Sequence, residues 1–271
     1  MEERIKIARK GIGHEIACSY REGSGESIVF IHGLGCSRES FKDVWAFPGY
    51  ENYTLLAFDL PGFGDSARPK DFSYALEEQA EICRRVIARF GCERINLVAH
   101  SMGGAIALLL SRKIPAKVIS FISLEGNLTG DECRFTREAI TYSFADFKKG
   151  LFPSYKAGFR DNEVMIGARV LTNQLYYGWL NKTDPWAHYR SSASMVQWCD
   201  SGRLLEMFKG MDIKKCYIFG EAHRDLAVIG RLGDIPRIEI AGSGHFMMVD
   251  SPREFYRKLL RFLAGERAGP S

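Results

Sequence analysis

The chain has 271 residues, of which 46% are hydrophobic and 26% are charged. This composition can bury a large core without disulfides or metal ions, and the length suits one α/β domain that carries an insertion. The 37 basic and 33 acidic residues give a net charge of +4. Because the basic residues are scattered along the chain, the sequence argues against a nucleic-acid partner, which would need them concentrated on one face.

The amino-terminal residues and the cysteines indicate a cellular location. Residues 1–6 lack the apolar run of a secretory signal, and the longest apolar stretch, residues 103–110, is too short to cross a bilayer. The seven cysteines are odd in number and none lies in a CxxC pair, so we expect them to be reduced. The sequence predicts a soluble cytoplasmic protein with no membrane partner, and it leaves the oligomeric state open.

The predicted strands begin with a hairpin, in which Ile5 and Ile7, and then Ile16 and Cys18, alternate with polar neighbours. Short runs of branched and aromatic residues follow along the chain. They lie at residues 27–31, 54–58, 94–98, 118–124, 215–219 and 237–240. Runs that are apolar throughout, rather than alternating, are typical of parallel strands covered on both faces.

Helical patterns separate these strands. Residues 76–90 carry one apolar stripe, residues 103–113 are apolar on nearly every side, and a last helix is expected to begin at Ser251-Pro252. Alternating strands and helices predict a doubly wound α/β sheet.

This alternation stops between residues 126 and 211, where helix-like segments contain many aromatic residues. We interpret residues 126–211 as an inserted helical cap, and residues 1–125 and 212–271 as the α/β core. Most of the aromatic side chains should pack in the cap's own core, and several could line an apolar acyl pocket.

The strongest local motif surrounds Ser101. The strand at residues 94–98 runs into Ala99-His100-Ser101-Met102-Gly103 and then directly into a helix. A sharp strand-to-helix turn lifts a serine hydroxyl to the edge of the sheet, and small residues on both sides relieve the crowding. The pattern here is A-x-S-x-G, with Ala99 in place of the usual first glycine.

Four segments together resemble the α/β-hydrolase superfamily. They are the serine turn, Ile31-His32-Gly33-Leu34-Gly35, the segment from Asp59 to Ser66, and Gly242-Ser243-Gly244-His245-Phe246. The resemblance implies a mostly parallel eight-stranded sheet with a helical cap. It implies that Ser101 is the nucleophile and that the backbone N–H groups of Leu34 and Met102 form the oxyanion hole. His245 follows the last strand in a glycine-rich loop and is the expected general base.

The acid that orients the base has two candidates. The family usually places it after the strand at residues 215–219, but the expected position is His223, with Asp225 two residues later and Glu221 earlier. Glu125 ends the strand at residues 118–124, which is the alternative location in related hydrolases. We favour Glu125 and keep Asp225 as the alternative; both fit the chain order serine, acid, histidine.

The sequence therefore predicts a serine hydrolase that cleaves a small to medium, partly apolar carboxylic ester through an acyl-serine intermediate. The same machinery serves thioesters, lactones, amides and carbon–carbon bonds, since the choice depends on the pocket. A receptor-like protein that binds ligands in the capped pocket is the alternative from another class. No organic cofactor or metal is expected, because no group of His, Cys and carboxylate residues has ligand spacing along the chain.

Overall fold

A computed structural model describes residues 1–9 and 12–266, and within them eight strands form one sheet. The strands are β1 (Glu2–Arg9), β2 (Ile12–Arg21), β3 (Ser27–Ile31), β4 (Thr54–Phe58), β5 (Ile95–His100), β6 (Val118–Leu124), β7 (Lys214–Gly220) and β8 (Arg237–Ile240). Their order is β1-β2-β4-β3-β5-β6-β7-β8. Strand β2 is antiparallel to both β1 and β4, whereas all other neighbours are parallel. The mostly parallel eight-stranded sheet that the sequence predicted is confirmed.

The central strands are apolar throughout because each is covered on both faces. Every residue of β3, β4 and β5 is buried. Alternate residues of β3 enter opposite layers: Val29 and Ile31 pack with the first apolar cluster, and Ile28 and Phe30 pack with the second. The predicted bounds of β3, β4, β6 and β8 agree with the structure, while those of β5 and β7 differ by one or two residues. The turn of the hairpin was predicted around residues 10–13; residues 10 and 11 lie outside the described residues, and residues 12 and 13 belong to β2.

Helices surround the sheet and fill the segment between β6 and β7. They are α1 (Leu76–Arg89), α2 (Met102–Ser111), α3 (Arg134–Thr141), α4 (Phe144–Asp146), α5 (Phe152–Arg160), α6 (Val170–Asn181), α7 (Pro185–Asp200), α8 (Arg203–Lys209), α9 (Ala227–Arg231), α10 (Met247–Asp250) and α11 (Pro252–Leu263). Short 3-10 segments cover Arg38–Ala46, Gly130–Glu132 and Glu221–His223, and a π-helical segment covers Phe147–Leu151. Helix α2 is buried along its whole length, as its apolar sequence predicts. In the described part of the chain no helix is long and apolar enough to cross a membrane.

The chain between β6 and β7, which we call the insertion, consists of helices α3 to α8 and their connections. Its aromatic residues range from buried through partly buried to exposed. Phe147, Phe152, Phe159, Tyr176 and Trp179 are buried, whereas Phe135 and Tyr142 are each 43% exposed. The exact division into residues 1–125, 126–211 and 212–271 remains a prediction.

Candidate active site

Ser101 lies at the junction of β5 and α2, the strand-to-helix turn that the sequence indicates. Its backbone has φ 53° and ψ −125°, a conformation that costs a non-glycine residue about 1–3 kcal/mol. The Ser101 N–H donates to the carbonyl of Leu124, the last residue of the neighbouring strand β6, at 3.0 Å. The sheet on one side and the buried helix α2 on the other therefore hold Ser101 in this strained backbone conformation.

Two glycines allow the chain to pass close to Ser101. A Cβ atom on Gly33 would lie 2.9 Å from the Ser101 Cβ, and one on Gly103 would lie 2.4 Å from the carbonyl oxygen of Ile31. Separations below 3.0 Å are too short for such carbon atoms, so both positions require glycine. The serine turn and the end of β3 can pack together because these residues lack side chains.

Glu125 and His245 are in direct contact. Glu125 is only 4% exposed, and its Oε2 accepts a hydrogen bond from His245 Nδ1 at 2.6 Å. Its other oxygen, Oε1, accepts from the Gly220 N–H at 2.9 Å. Burial alone would raise the pKa of the Glu125 carboxyl, but the hydrogen bonds from His223 and His245 outweigh it and hold that pKa below its ordinary value. An ionised Glu125 therefore fixes the Nδ1–H tautomer of His245.

Asp225, the alternative acid, occupies a different environment. It is exposed, and among the described residues no hydrogen bond or ion pair joins it to His245. Of the two candidate carboxylates, the structure brings Glu125 and not Asp225 to the histidine.

His223 is a second partner of Glu125 that the sequence reasoning did not identify. Its Nδ1 lies 2.8 Å from Glu125 Oε2, the same oxygen that His245 contacts. The hydrogen bond to Glu125 raises the pKa of His223 above its ordinary value, although burial opposes the change. One signal was available in the sequence, because His223 stands where the family usually has its acid.

His100 packs against His245 and hydrogen-bonds to its backbone. The two rings have centroids 4.6 Å apart, and His100 Nε2 donates to the backbone carbonyl of His245 at 2.9 Å. Burial, followed by the proximity of His245, holds the pKa of His100 well below its ordinary value, so this ring is neutral. His245 is thereby held beside the residue that precedes Ser101.

The Ser101 hydroxyl has a different partner in this conformation. Its Oγ donates to Asn127 Oδ1 at 3.3 Å, and no hydrogen bond links Ser101 to His245 within the described chain. Contacts between nucleophile and base often tighten only when substrate binds. Asn127 was not predicted, and its position two residues after Glu125 is the one sequence feature that links it to the site.

The predicted oxyanion donors lie on the two turns that meet at Ser101. The N–H groups of Leu34 and Met102 donate to no acceptor outside their own elements in the described residues. His32 holds the first of these turns: its Nδ1 donates to the carbonyl of Gly33 at 2.8 Å, while its Nε2 accepts from the Leu60 N–H at 3.0 Å. The role of the Leu34 and Met102 amides as oxyanion donors stays a prediction.

Helix α6 lies over this edge of the sheet. The hydroxyl of Tyr176 donates to the carbonyl of Leu34 at 3.3 Å. The rings of Tyr176 and Trp179 have centroids 5.3 and 5.8 Å from that of Phe246, the residue after His245. The surroundings of the site on this side are aromatic.

Asp250 connects the His245 loop to the helical insertion, and the sequence reasoning missed it. It is fully buried, and it accepts hydrogen bonds from the N–H of Gly244 at 2.9 Å, from the N–H of Ala168 at 2.8 Å and from the Thr172 hydroxyl. Its signal in the sequence is an aspartate at the end of the apolar run Met247-Met248-Val249.

The cluster of Glu125, His223 and His245 also contains donors suited to a metal ion. One ligand atom from each residue lies within 4.8 Å of the other two. These residues are far apart in the sequence, on three different loops, so ligand spacing along the chain gives no sign of the cluster.

A strained serine at a strand-to-helix turn and a buried carboxylate–histidine pair lie at the same edge of this α/β sheet. Residues 28–258 match the model of the alpha/beta hydrolase family. The chain therefore belongs to the alpha/beta hydrolase family, as the resemblance of its motifs implied.

Comparison with curated proteins gives partial and distant matches. The chain is 40% identical over 105 residues to the probable lysophospholipase BODYGUARD 1 of Arabidopsis thaliana, a match that covers 36% of this chain and 22% of that protein. It is 24% identical to the 2-hydroxy-6-oxo-6-(2'-aminophenyl)hexa-2,4-dienoic acid hydrolase of Metapseudomonas resinovorans, over 89% of this chain and 85% of that one. The match with BODYGUARD 1 thus spans about a fifth of that relative's length.

Among solved structures, the fold is similar to that of the esterase EaEST from Exiguobacterium antarcticum. The TM-score is 0.75 over 93% of this chain and 96% of that one, with 18% sequence identity. At this identity the similarity supports the fold.

Proposed function

We propose that this protein is a serine hydrolase that cleaves a small to medium, partly apolar carboxylic ester through an acyl-serine intermediate. The observation that carries the proposal is the buried Glu125–His245 pair, with its 2.6 Å contact, at the same sheet edge as the strained Ser101. A serine hydroxyl is a weak nucleophile until a base removes its proton, and this pair supplies an oriented base.

In the proposed reaction the Ser101 hydroxyl leaves Asn127 and attacks the ester carbonyl while His245 Nε2 accepts its proton. Glu125 keeps the Nδ1 proton in place, so Nε2 carries the lone pair. The N–H groups of Leu34 and Met102 stabilise the oxyanion; losing one such donor costs about 3–4 kcal/mol of barrier. His245 then protonates the departing alcohol, and a water molecule activated by the same histidine hydrolyses the acyl-serine.

The aromatic surroundings favour an apolar acyl group. Tyr176, Trp179 and Phe246 form a contiguous, buried aromatic cluster next to the Leu34 turn. The relatives agree with ester chemistry, since one is described as a probable lysophospholipase and one similar structure is an esterase. We propose that the substrate is a small molecule. We also propose a cytoplasmic location, because the seven cysteines are free and buried, as is usual in a reducing compartment.

Carbon–carbon bond hydrolysis is the second candidate. The relative in Metapseudomonas resinovorans is named as a dienoic acid hydrolase, and its match covers most of both chains. The same serine, histidine and acid could serve that reaction. Turnover of a vinylogous diketone with little esterase activity would favour it, whereas thioester, lactone and amide substrates would test other acyl hydrolysis.

The experiment is hydrolysis of p-nitrophenyl esters of increasing acyl length by the parent protein and by Ser101→Ala, with Ser154→Ala as control. Ser154 is exposed on α5, so its replacement should not affect turnover. Loss of turnover only in Ser101→Ala, together with fluorophosphonate labelling at Ser101 in the parent, supports the mechanism. Labelling elsewhere, or turnover in Ser101→Ala, contradicts it. Ligand binding that survives Ser101→Ala, in a parent with no turnover, would indicate a receptor-like protein instead.

A further inference from the structure

The Nδ1 atoms of His223 and His245 both face the same carboxylate oxygen of Glu125, and the three ligand atoms lie within 4.8 Å of one another. Glu125 Oε2 lies 2.8 Å from His223 Nδ1 and 2.6 Å from His245 Nδ1. Two imidazole nitrogens and one carboxylate oxygen are a common protein donor set for Zn²⁺. We propose that this cluster is an inhibitory site for a divalent transition metal such as Zn²⁺; its inhibitory effect rests on the function proposed above.

The surroundings suit a three-ligand site with an open position. The Gly220 N–H occupies Oε1 of Glu125, which leaves Oε2 as a single ligand atom. Zn²⁺ bonds of about 2.1 Å separate tetrahedral ligands by roughly 3.4 Å. Each ring nitrogen would therefore move away from Oε2 by a fraction of an ångström, and the two ring nitrogens, which lie within 4.8 Å of each other, would adjust to that separation. The side chains of His223 and His245 are 35% and 22% exposed, which gives the ion a path and a water molecule a fourth position.

Metal binding at this point would remove the general base. In the resting site His245 donates its Nδ1 proton to Glu125 and keeps the lone pair on Nε2. When the Nδ1 lone pair binds the metal, the neutral ring carries its proton on Nε2 instead. An Nε2–H group cannot accept the proton of Ser101. The ring proton changes nitrogen, no electron is transferred, and removal of the ion restores the original tautomer.

The other four histidines and the seven cysteines are poorly placed to compete for the ion. They are buried: His14, His32, His100, His188 and all seven cysteines. Among the three ligands, His223 is the residue to replace in a test of this site, because it contacts Glu125 but is not the proposed base.

Direct binding tests the site without relying on catalysis. Isothermal titration with zinc chloride, at about pH 8 where imidazoles are largely neutral, should give one site per chain. We expect His223→Gln to weaken binding at least about tenfold, since even residues behind the ligands typically contribute that much. Glu221→Gln removes a negative charge two residues away but keeps an acceptor for the Gly242 N–H, which Glu221 Oε2 contacts at 2.8 Å, and should bind like the parent. His223→Asn repeats the test if the glutamine variant does not fold.

Absence of binding to the parent, or equal affinity in the folded His223 variants, would overturn the site. For the inhibitory role, zinc should suppress ester hydrolysis by the parent and EDTA should restore it. Each variant is compared with its own metal-free rate, and the His223 variants should need at least about tenfold more zinc. Zinc that binds but leaves turnover unchanged, or raises it, contradicts inhibition. A parent with no esterase activity refutes the proposed function, while the titration still decides the site.

Discussion

At the carboxyl edge of the sheet the functional side chains are held by directed hydrogen bonds, whereas the insertion between β6 and β7 relies largely on aromatic packing. Glu125 accepts from one backbone N–H and two imidazoles, and His32 has a partner on each ring nitrogen. In the insertion, Phe147 contacts Phe152 and His188 with ring centroids 5.3 and 5.5 Å apart. Hydrogen bonds fix direction, which proton transfer requires, while aromatic contacts fill volume, which shapes a pocket. Changes at the edge should therefore affect chemistry, and changes in the insertion should affect substrate choice.

Removal of the base should have the largest effect. We expect His245→Ala to lower kcat/KM for a p-nitrophenyl ester by about a thousandfold or more, as loss of a triad histidine does elsewhere. The fold should persist, because the ring is partly exposed and packs at the edge of the core. Circular dichroism and thermal unfolding provide the control. Near-parental activity in this variant would rule out the proposed base.

Replacement of the acid comes next. Glu125→Gln keeps the size of the side chain but removes the charge that fixes the His245 tautomer, so kcat should fall by about a hundredfold or more. Asp225→Asn is the matched control and should stay within about twofold, the range usual for an exposed side chain away from the chemistry. The reverse ranking would transfer the acid role to the loop after β7.

These two carboxylates also illustrate how far the sequence could predict the site. The central strands were predictable because burial on both faces leaves uninterrupted apolar runs, and Ser101 was predictable because its turn combines small residues with a strand and a helix. The sequence favoured Glu125 but left Asp225 open, since the choice depends on how loops 95 or more residues apart in the chain meet. Sequence periodicity does not indicate which distant loops contact each other in the fold.

His223 and Asp250 escaped prediction for the same reason. Their distant partners come from other parts of the chain: Glu125 for His223, and Ala168 and Thr172 for Asp250. The insertion was recognised by its loss of strand pattern, but its packing was not. Helices with aromatic residues on several sides do not indicate which side faces the sheet.

A substitution in the insertion should alter the preferred acyl-chain length more than the overall rate of ester hydrolysis. Trp179 is 6% exposed and packs near Phe246. Trp179→Ala should shift the preferred acyl chain towards longer esters, changing the ratio of kcat/KM between octanoate and acetate esters by about tenfold, as expected when apolar pocket volume changes. Trp198→Ala serves as control, because Trp198 lies at the far end of α7 against Glu77 and Arg203. An unchanged ratio in Trp179→Ala would show that this ring does not border the substrate.

The smallest expected effect concerns Glu132, which joins the insertion to the sheet. Its carboxylate accepts from the N–H groups of Leu128 and Thr129 at 3.0 and 2.7 Å, and the Tyr217 hydroxyl of β7 lies 3.3 Å away. Burial raises the pKa of Glu132 from 4.5 to about 7, although these hydrogen bonds oppose the change.

The folded state therefore retains this proton at pH values where the unfolded chain has lost it. The resulting stabilisation is complete below pH 4.5 and is lost as the pH rises through about 7. Denaturant unfolding across this range should show the parent losing stability relative to Glu132→Gln, which cannot ionise. Asp131→Asn changes the exposed neighbouring acid and should leave the pH dependence of the unfolding free energy as in the parent. If the free energy of unfolding depends on pH in the same way for Glu132→Gln and the parent, the Glu132 carboxyl is ionised in the folded protein. The contact between the insertion and Tyr217 of β7 is then made by a charged carboxylate.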